Sequence, residues 1–290
     1  MKLNTKCIVC NIQQAIRIAE FLDVDDKNRE NIMRKVLGYL RDADYGLSNP
    51  QIMKGTWDII VEELGNDNPY KDIKRFYNEE MLMMYNELMG IVKSSKDSFQ
   101  TGLKMAITGN LIDFGPSHKF DRDILIEMIN NLDSQNMVVD DSKKLKDMLA
   151  DSHTLLYIGD NCGEIVLDKV FIEQIKSEFP KLDIYFGVRG KAIINDVTLE
   201  DAKMVKMEEV ASIIESEDGT PGTILENTGE RFQKMFESAD VIIAKGQGNY
   251  ESLSDVKREG LFFLFMAKCP VVAGYAGVDE MSILCMENAK

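Results

Sequence analysis

The sequence predicts an α/β fold: a helical N-terminal part packed on a Rossmann-like three-layer α/β/α domain with a mainly parallel sheet. Three observations carry this. Apolar residues in the first half recur at three- and four-residue spacings, the period of amphipathic helices. Beyond residue 150, four short apolar runs alternate with helical stretches, the order of βαβ units. Those runs are nearly unbroken, as strands covered on both faces must be. At 290 residues, 44% apolar and 29% charged, the chain makes one large domain or two modest ones.

Element by element, helices are expected over 12–22, 30–43, 51–65 and 72–94, with Asn28, Asn49–Pro50 and the Gly65–Pro69 segment between them. More helix follows through TGLKMAITGNLIDFG and ILIEMINNL. The runs TLLYIG (154–159), LDIYFGVR (182–189), ADVIIAKG (239–246) and LFFLFMAKC (261–269) read as strands. Between them, EIVLDKVFIEQIKSEF has helical period, and an acidic helical stretch runs through EEVASII. The border is expected at residue 150, with 1–150 helical and 151–290 the Rossmann-like part.

Charge narrows the function classes. Thirty-four basic against 49 acidic residues leave a net −15, which repels nucleic-acid backbones and anionic lipid. No apolar run is long enough for a membrane span or a secretory leader, so a cytoplasmic location is expected. Five cysteines, an odd number, fit a reducing compartment better than a disulfide framework.

In an open parallel sheet, ligands bind beyond the carboxyl ends of the strands. The first run delivers Asp160 and Asn161 there. The second delivers Arg189, Gly190 and Lys191, then Asn195 and Asp196. The third delivers Lys245, Gly246, Gln247, Gly248 and Asn249. Each has a plainer reading: Asp160, Asn161 or Asp196 capping the next helix, Lys245 as a solvated strand-end lysine. Yet an unpaired charge straight after VIIA would be costly to bury.

Two carboxylates and an amide, with no histidine near, suit a hard ion such as Mg²⁺ or Mn²⁺ better than zinc. The two histidines, His118 and His153, offer little for a zinc site or a Ser–His–Asp triad and read as structural. A metal, a lysine and glycine-rich turns together suit a phosphoryl group. The common phosphate fingerprints are absent: no GxxxxGK[ST] occurs, and the GxG at 246–248 lacks its third glycine.

The segments GDNCGEIVLDK, VRGKAIINDVTLEDA, TPGT (220–223), AKGQGNYE and AITGNLIDFG (106–115) resemble, in order, the DUF89 family of metal-dependent damage-control phosphatases with an ARMT1-like domain. CIVC near the N-terminus with KC at 268–269 is similar to the CxxC–KC pattern of its mainly prokaryotic subgroup. The resemblance implies metal ligation by Asp160, Asn161 and Asp196, and phosphate contact by Lys245 within its AKGQGNYE turn with Gly246. It brings Asn110 and Asp113 to the site, with Glu164, Arg189, Asn195 and Asn249 as flanking substrate-binding groups. It implies a helical part joined to a Rossmann-like part, and hydrolysis of small phosphomonoesters, often sugar phosphates, with Mg²⁺, Mn²⁺, Ni²⁺ or Co²⁺.

The expected chemistry is metal-assisted in-line attack, either by water deprotonated by a carboxylate such as Asp113 or by Asp160 itself. Two other functions compete: a carboxyl methyltransferase using S-adenosylmethionine, and a non-catalytic phosphometabolite-binding protein. Cys7, Cys10 and Cys269 are either three ligands of a structural Zn²⁺ site or three neighbouring thiols.

Overall fold

The computed structural model describes residues 1–109, 122–132 and 136–288. Four helices open the chain: α1 (Lys6–Phe21), α2 (Asp26–Asp42), α3 (Asn49–Leu64) and α4 (Lys71–Ser94). Their ends follow from local chemistry. Asp25 caps α2 through the Asn28 amide, the Gln51 side chain accepts from Ser48 N at 2.9 Å at the start of α3, and left-handed Gly65 stops α3. The first predicted helix was short at its start, because the CIVC stretch is also helical. Helices α5 (Ser98–Gly109) and α6 (Arg122–Asn130) complete the first half.

The sheet has seven strands: β1 (Val139–Asp140), β2 (Thr154–Ile158), β3 (Asp183–Val188), β4 (Ser212–Glu215), β5 (Val241–Lys245), β6 (Leu261–Met266) and β7 (Ile283–Glu287). Their order is β1-β7-β6-β5-β2-β3-β4, parallel throughout except for the β6–β7 pair. All four predicted strands are present. The helical reading of EEVASII needs correction: a 3-10 turn at Met207–Glu209 leads into β4, an edge strand. Strand β1 pairs into the sheet ahead of residue 150, followed by α7 (Ser142–Asp151).

Side chains alternate across the sheet with the period of two that strands impose. Leu155 and Tyr157 of β2 join a core with α4, α5 and α8 (Glu164–Glu178). Leu156 and Ile158 join the opposite core with α10 (Glu230–Ser238), α11 (Gly246–Leu253) and α12 (Pro270–Ala276). A third core belongs to α1, α2 and α3, around Ile52, Trp57 and Ile60. It also takes in Ile193, which lies on the loop leaving β3. The remaining helix, α9 (Leu199–Met204), follows that loop. No described helix is long and apolar enough to cross a membrane.

Candidate active site

The chain runs β2, β3, β4 to one side, then returns to place β5 on the other side of β2. That reversal opens a crevice at the carboxyl ends of β2 and β5, where ligands bind in such sheets. Asp160 follows β2 and Lys245 ends β5, so both stand at the switch point.

The loop leaving β3 folds back onto the β2 turn. Val197 N donates to Asp160 O and Cys162 N to Asn195 O, each at 2.9 Å, and Asn161 and Asp196 form a bridge. Two acidic residues distant in sequence thus come to one edge. The capping readings fail. The N-cap of α8 is Gly163, with no side-chain cap, and α9 is capped by Thr198 with Asp201, not by Asp196.

Asp160 and Asp196 are both buried. Burial, with Glu164 and Asp196 adding repulsion, pushes the Asp160 carboxyl well above its ordinary range against the pull of Arg189 and Lys268. Burial likewise raises Asp196, opposed by Arg189, whose Nε donates to Asp196 Oδ2 at 2.8 Å. Asn161 Nδ2 donates to Asp160 Oδ2 at 2.7 Å and Glu164 Oε2 at 3.2 Å, so its Oδ1 is the atom that could serve a cation.

This donor set fits a hard divalent ion. Concentrated buried negative charge of this kind is stabilised by a cation. Among the described residues no three His, Cys, Asp or Glu side chains converge as a metal cage. Two carboxylates and one amide would therefore leave several coordination positions to water and substrate, as such ions accept.

Gly246 opens α11 at φ +78, and a Cβ there would lie 1.8 Å from Asp160 Oδ2. No side chain can occupy this position, so backbone alone faces the carboxylate. The first-turn amides of α11 lack intrahelical acceptors by geometry and offer an anion their N–H groups.

Lys245 is not solvated. Its ammonium is fully buried and donates to Ala106 O at 2.9 Å, to Glu164 Oε1 at 2.6 Å and to Asp168 Oδ1. All three of its donors are engaged. Burial opposes the charge, but Asp168 and Glu164 outweigh it and raise the lysine pKa. Burial lifts Asp168 to about 6, against the pull of Lys245. Tyr157 Oη also donates to Asp168 Oδ1, at 2.7 Å.

Arg189 and Asn249 tie the strand ends together. Arg189 reaches Thr223 Oγ1 and Asn249 Oδ1, each at 3.2 Å. Asn249 accepts from Thr223 at 2.8 Å and donates to Lys245 O at 2.7 Å and Gly159 O at 3.3 Å. Asn249 is fully buried with its amide spent inside the protein, so it acts through its neighbours. Asn195 contributes its carbonyl to the loop pairing. Asn110, Asp113 and His118 lie outside the described residues. His153 sits at the opposite end of β2 from Asp160, away from this edge.

A cleft of about 630 Å³ adjoins the β3 loop, lined by Arg189, Gly190 and Lys191 on one wall and Lys54, Trp57 and Lys71 on another. Elsewhere, all five cysteines are free. Cys10 and Cys269 lie near enough to Cys7 to raise its pKa, and Cys269 near enough to Cys10 to raise that one. Burial is the larger cause, and it lifts Cys7 to about 11. Gln247 of the Gly246–Gly248 turn donates to Cys269 Sγ at 3.7 Å.

Asp168, Tyr157, Lys74, Asn78 and Asp201 are further buried polar residues of this region that strand-end reasoning misses. Asp168 carries no local signal, because its helix α8 also bears Lys169, Glu173, Lys176 and Glu178.

A family model for the damage-control phosphatase ARMT1-like domain matches residues 3–284. A damage-control phosphatase of Pyrococcus horikoshii is 34% identical over 293 residues, covering 99% of each chain. One from Archaeoglobus fulgidus is 32% identical over 222 residues, 76% of each chain. The crystal structure of a DUF89 family protein from Pyrococcus horikoshii superposes with a TM-score of 0.91 at 33% identity, covering 99% of both chains.

Proposed function

The chain belongs to the family of damage-control phosphatases with an ARMT1-like domain, and on that footing we propose that it hydrolyses phosphomonoesters of small metabolites with a divalent metal ion. The observation that carries this reading is the pair of buried, mutually repelling carboxylates, Asp160 and Asp196, held at the switch point beside the Gly246 turn.

In this reading Asp160, Asn161 and Asp196 hold the ion, with Mg²⁺, Mn²⁺, Ni²⁺ or Co²⁺ as the physiological choices. When bound, it supplies positive charge at the phosphorus centre and lowers the pKa of water. The amides of Gly246, Gln247 and Gly248 receive phosphate oxygens at the start of α11. Lys245 neutralises phosphate charge from the end of β5, exchanging one of its three acceptors for a substrate oxygen. Arg189 holds Asp196 in place and lines the cleft that takes the organic part of the metabolite.

Water attacks phosphorus in line with the ester oxygen. A P–O bond forms as the ester P–O bond breaks, releasing alcohol and inorganic phosphate. The water's proton passes to a carboxylate, for which Asp113 is the sequence candidate. Asp160 as nucleophile is the competing route. Asn110, Glu164 and Asn195 complete the proposed surroundings of the substrate.

Phosphate release from p-nitrophenyl phosphate and a panel of sugar phosphates tests the function. Activity is expected with Mn²⁺ or Mg²⁺ and should vanish in EDTA. Turnover undiminished by EDTA would overturn the metal reading, and methyl transfer from S-adenosylmethionine instead would overturn the phosphatase. A structural zinc on Cys7, Cys10 and Cys269 is a separate proposal. The thiols must deprotonate and close on the ion, and elemental analysis of protein purified without chelator is its check. A cytoplasmic location rests on the free cysteines.

A further inference from the structure

Two loops carry the proposed metal ligands, and a single side chain of the helical half binds one directly and the other through Asp201 of α9. Helix α4 presents Lys74 and Asn78 one turn apart on the same face, both buried. Asn78 Oδ1 accepts from Gly163 N at 2.7 Å, in the turn that carries Asp160 and Asn161. Its Nδ2 donates to Asp201 Oδ1 at 3.0 Å. Asp201 in turn accepts from Thr198 N at 2.8 Å and Thr198 Oγ1 at 2.7 Å, two residues beyond Asp196. Lys74 forms an ion pair with the Asp201 carboxylate, out of solvent.

Gly163 has φ +70, so the turn into α8 takes a backbone conformation that few residues adopt unaided. The Asn78 acceptor lies on its N–H. On the other loop, Ile193 is anchored in the core of α1, α2 and α3, and Ile194 sits at φ +45. Both ligand loops are thus held from the helical half, in conformations they would not keep alone.

We propose that Asn78, supported by Lys74 and Asp201, is a positioning residue that sets the spacing of Asp160 and Asn161 from Asp196, and so the affinity for the metal. It touches neither ion nor substrate. This inference rests on the metal-dependent reading above. Outer groups that orient metal ligands typically affect affinity by roughly 10–100-fold. Because linkage is reciprocal, the ion should also tighten α4 against α8.

The test is calorimetric titration of Mn²⁺ alone into the full-length metal-free protein, wild type against Asn78→Leu, with Asn78→Ala should the leucine variant fail to fold. The expected result is a Kd weakened by roughly 10–100-fold. Phosphatase activity should recover at saturating Mn²⁺ to near the wild-type kcat. Thr56→Val, a buried polar change within the core of α1, α2 and α3, controls for general destabilisation. It should lower Tm and leave the Mn²⁺ Kd unchanged. A folded Asn78 variant binding Mn²⁺ within about twofold of wild type would overturn the inference, as would equal weakening by Thr56→Val. Wild type that binds no Mn²⁺ would instead overturn the metal reading on which it rests.

Discussion

Replacing Asp160 by Asn is expected to raise the Tm of the metal-free protein while abolishing metal-dependent hydrolysis. The sign follows from the pKa. A carboxyl raised in the folded state binds its proton more tightly there than in the unfolded chain. The stability contributed by this group is therefore greatest at low pH and is lost as pH rises above the ordinary aspartate range. At neutral pH the charge is a burden that burial, Glu164 and Asp196 impose together. An isosteric amide removes it and can keep the hydrogen bond from Asn161. Each kcal/mol of relieved repulsion should raise the midpoint by roughly 2–4 °C in a chain of this size. Mn²⁺ should then stabilise wild type and leave Asp160→Asn unmoved, with turnover falling on the order of 10³-fold or more. Thermal melts at two pH values, with and without the ion, check all of this. A lower Tm in the metal-free variant would mean that the carboxylate is structural.

Lys245→Met should be the most damaging single change at this edge. Glu164 and Asp168 are fully buried and share the one ammonium. Removing it leaves two carboxylates beside each other without water, and breaking a buried pair in this way costs about 3–5 kcal/mol. The loss should show as a reduced denaturation midpoint in urea and little or no activity. Acid should partly restore the fold, because protonating Asp168, already lifted to about 6 beside the lysine, relieves the repulsion. Lys245→Met combined with Asp168→Asn should recover much of the stability but not the activity, which separates the lysine's structural task from its catalytic one. Recovery of both would remove Lys245 from the chemistry.

Why some of this was legible in sequence and some not has a physical basis. The strands β2, β3, β5 and β6 are buried on both faces, so each is written as an unbroken apolar run. The residue after each run had to lie at the carboxyl edge, which picked out Asp160, Arg189 and Lys245 before any contact was known. Edge strands carry less signal. In β4, SIIE offers two apolar residues and follows an acidic stretch, so it passed as the end of a helix. Strand β1 is only two residues long.

The site's supporting residues were hidden for another reason. Asn78 and Lys74 have the spacing of an ordinary helix face, and nothing local marks that face as the one against Gly163 and Asp201. Asp168 and Lys169 stand side by side in a helix with several other charges, and both are buried. Their partners lie far along the chain, and only packing brings them together. Strand-end reasoning located the two loops, and resemblance to the family gave them their expected metal-binding role. The helical half's hold on those loops became visible only in three dimensions.

The central claim is that Asp160, Asn161 and Asp196 make one divalent-ion site on which phosphate release depends. Calorimetric titration of Mn²⁺ into metal-free wild type, Asp160→Asn and Asp196→Asn, each paired with phosphate release from p-nitrophenyl phosphate, tests it most directly. One ion per wild-type chain is predicted, with binding and hydrolysis lost together in both variants. Unchanged binding, or hydrolysis persisting in a variant that binds no ion, would contradict the account.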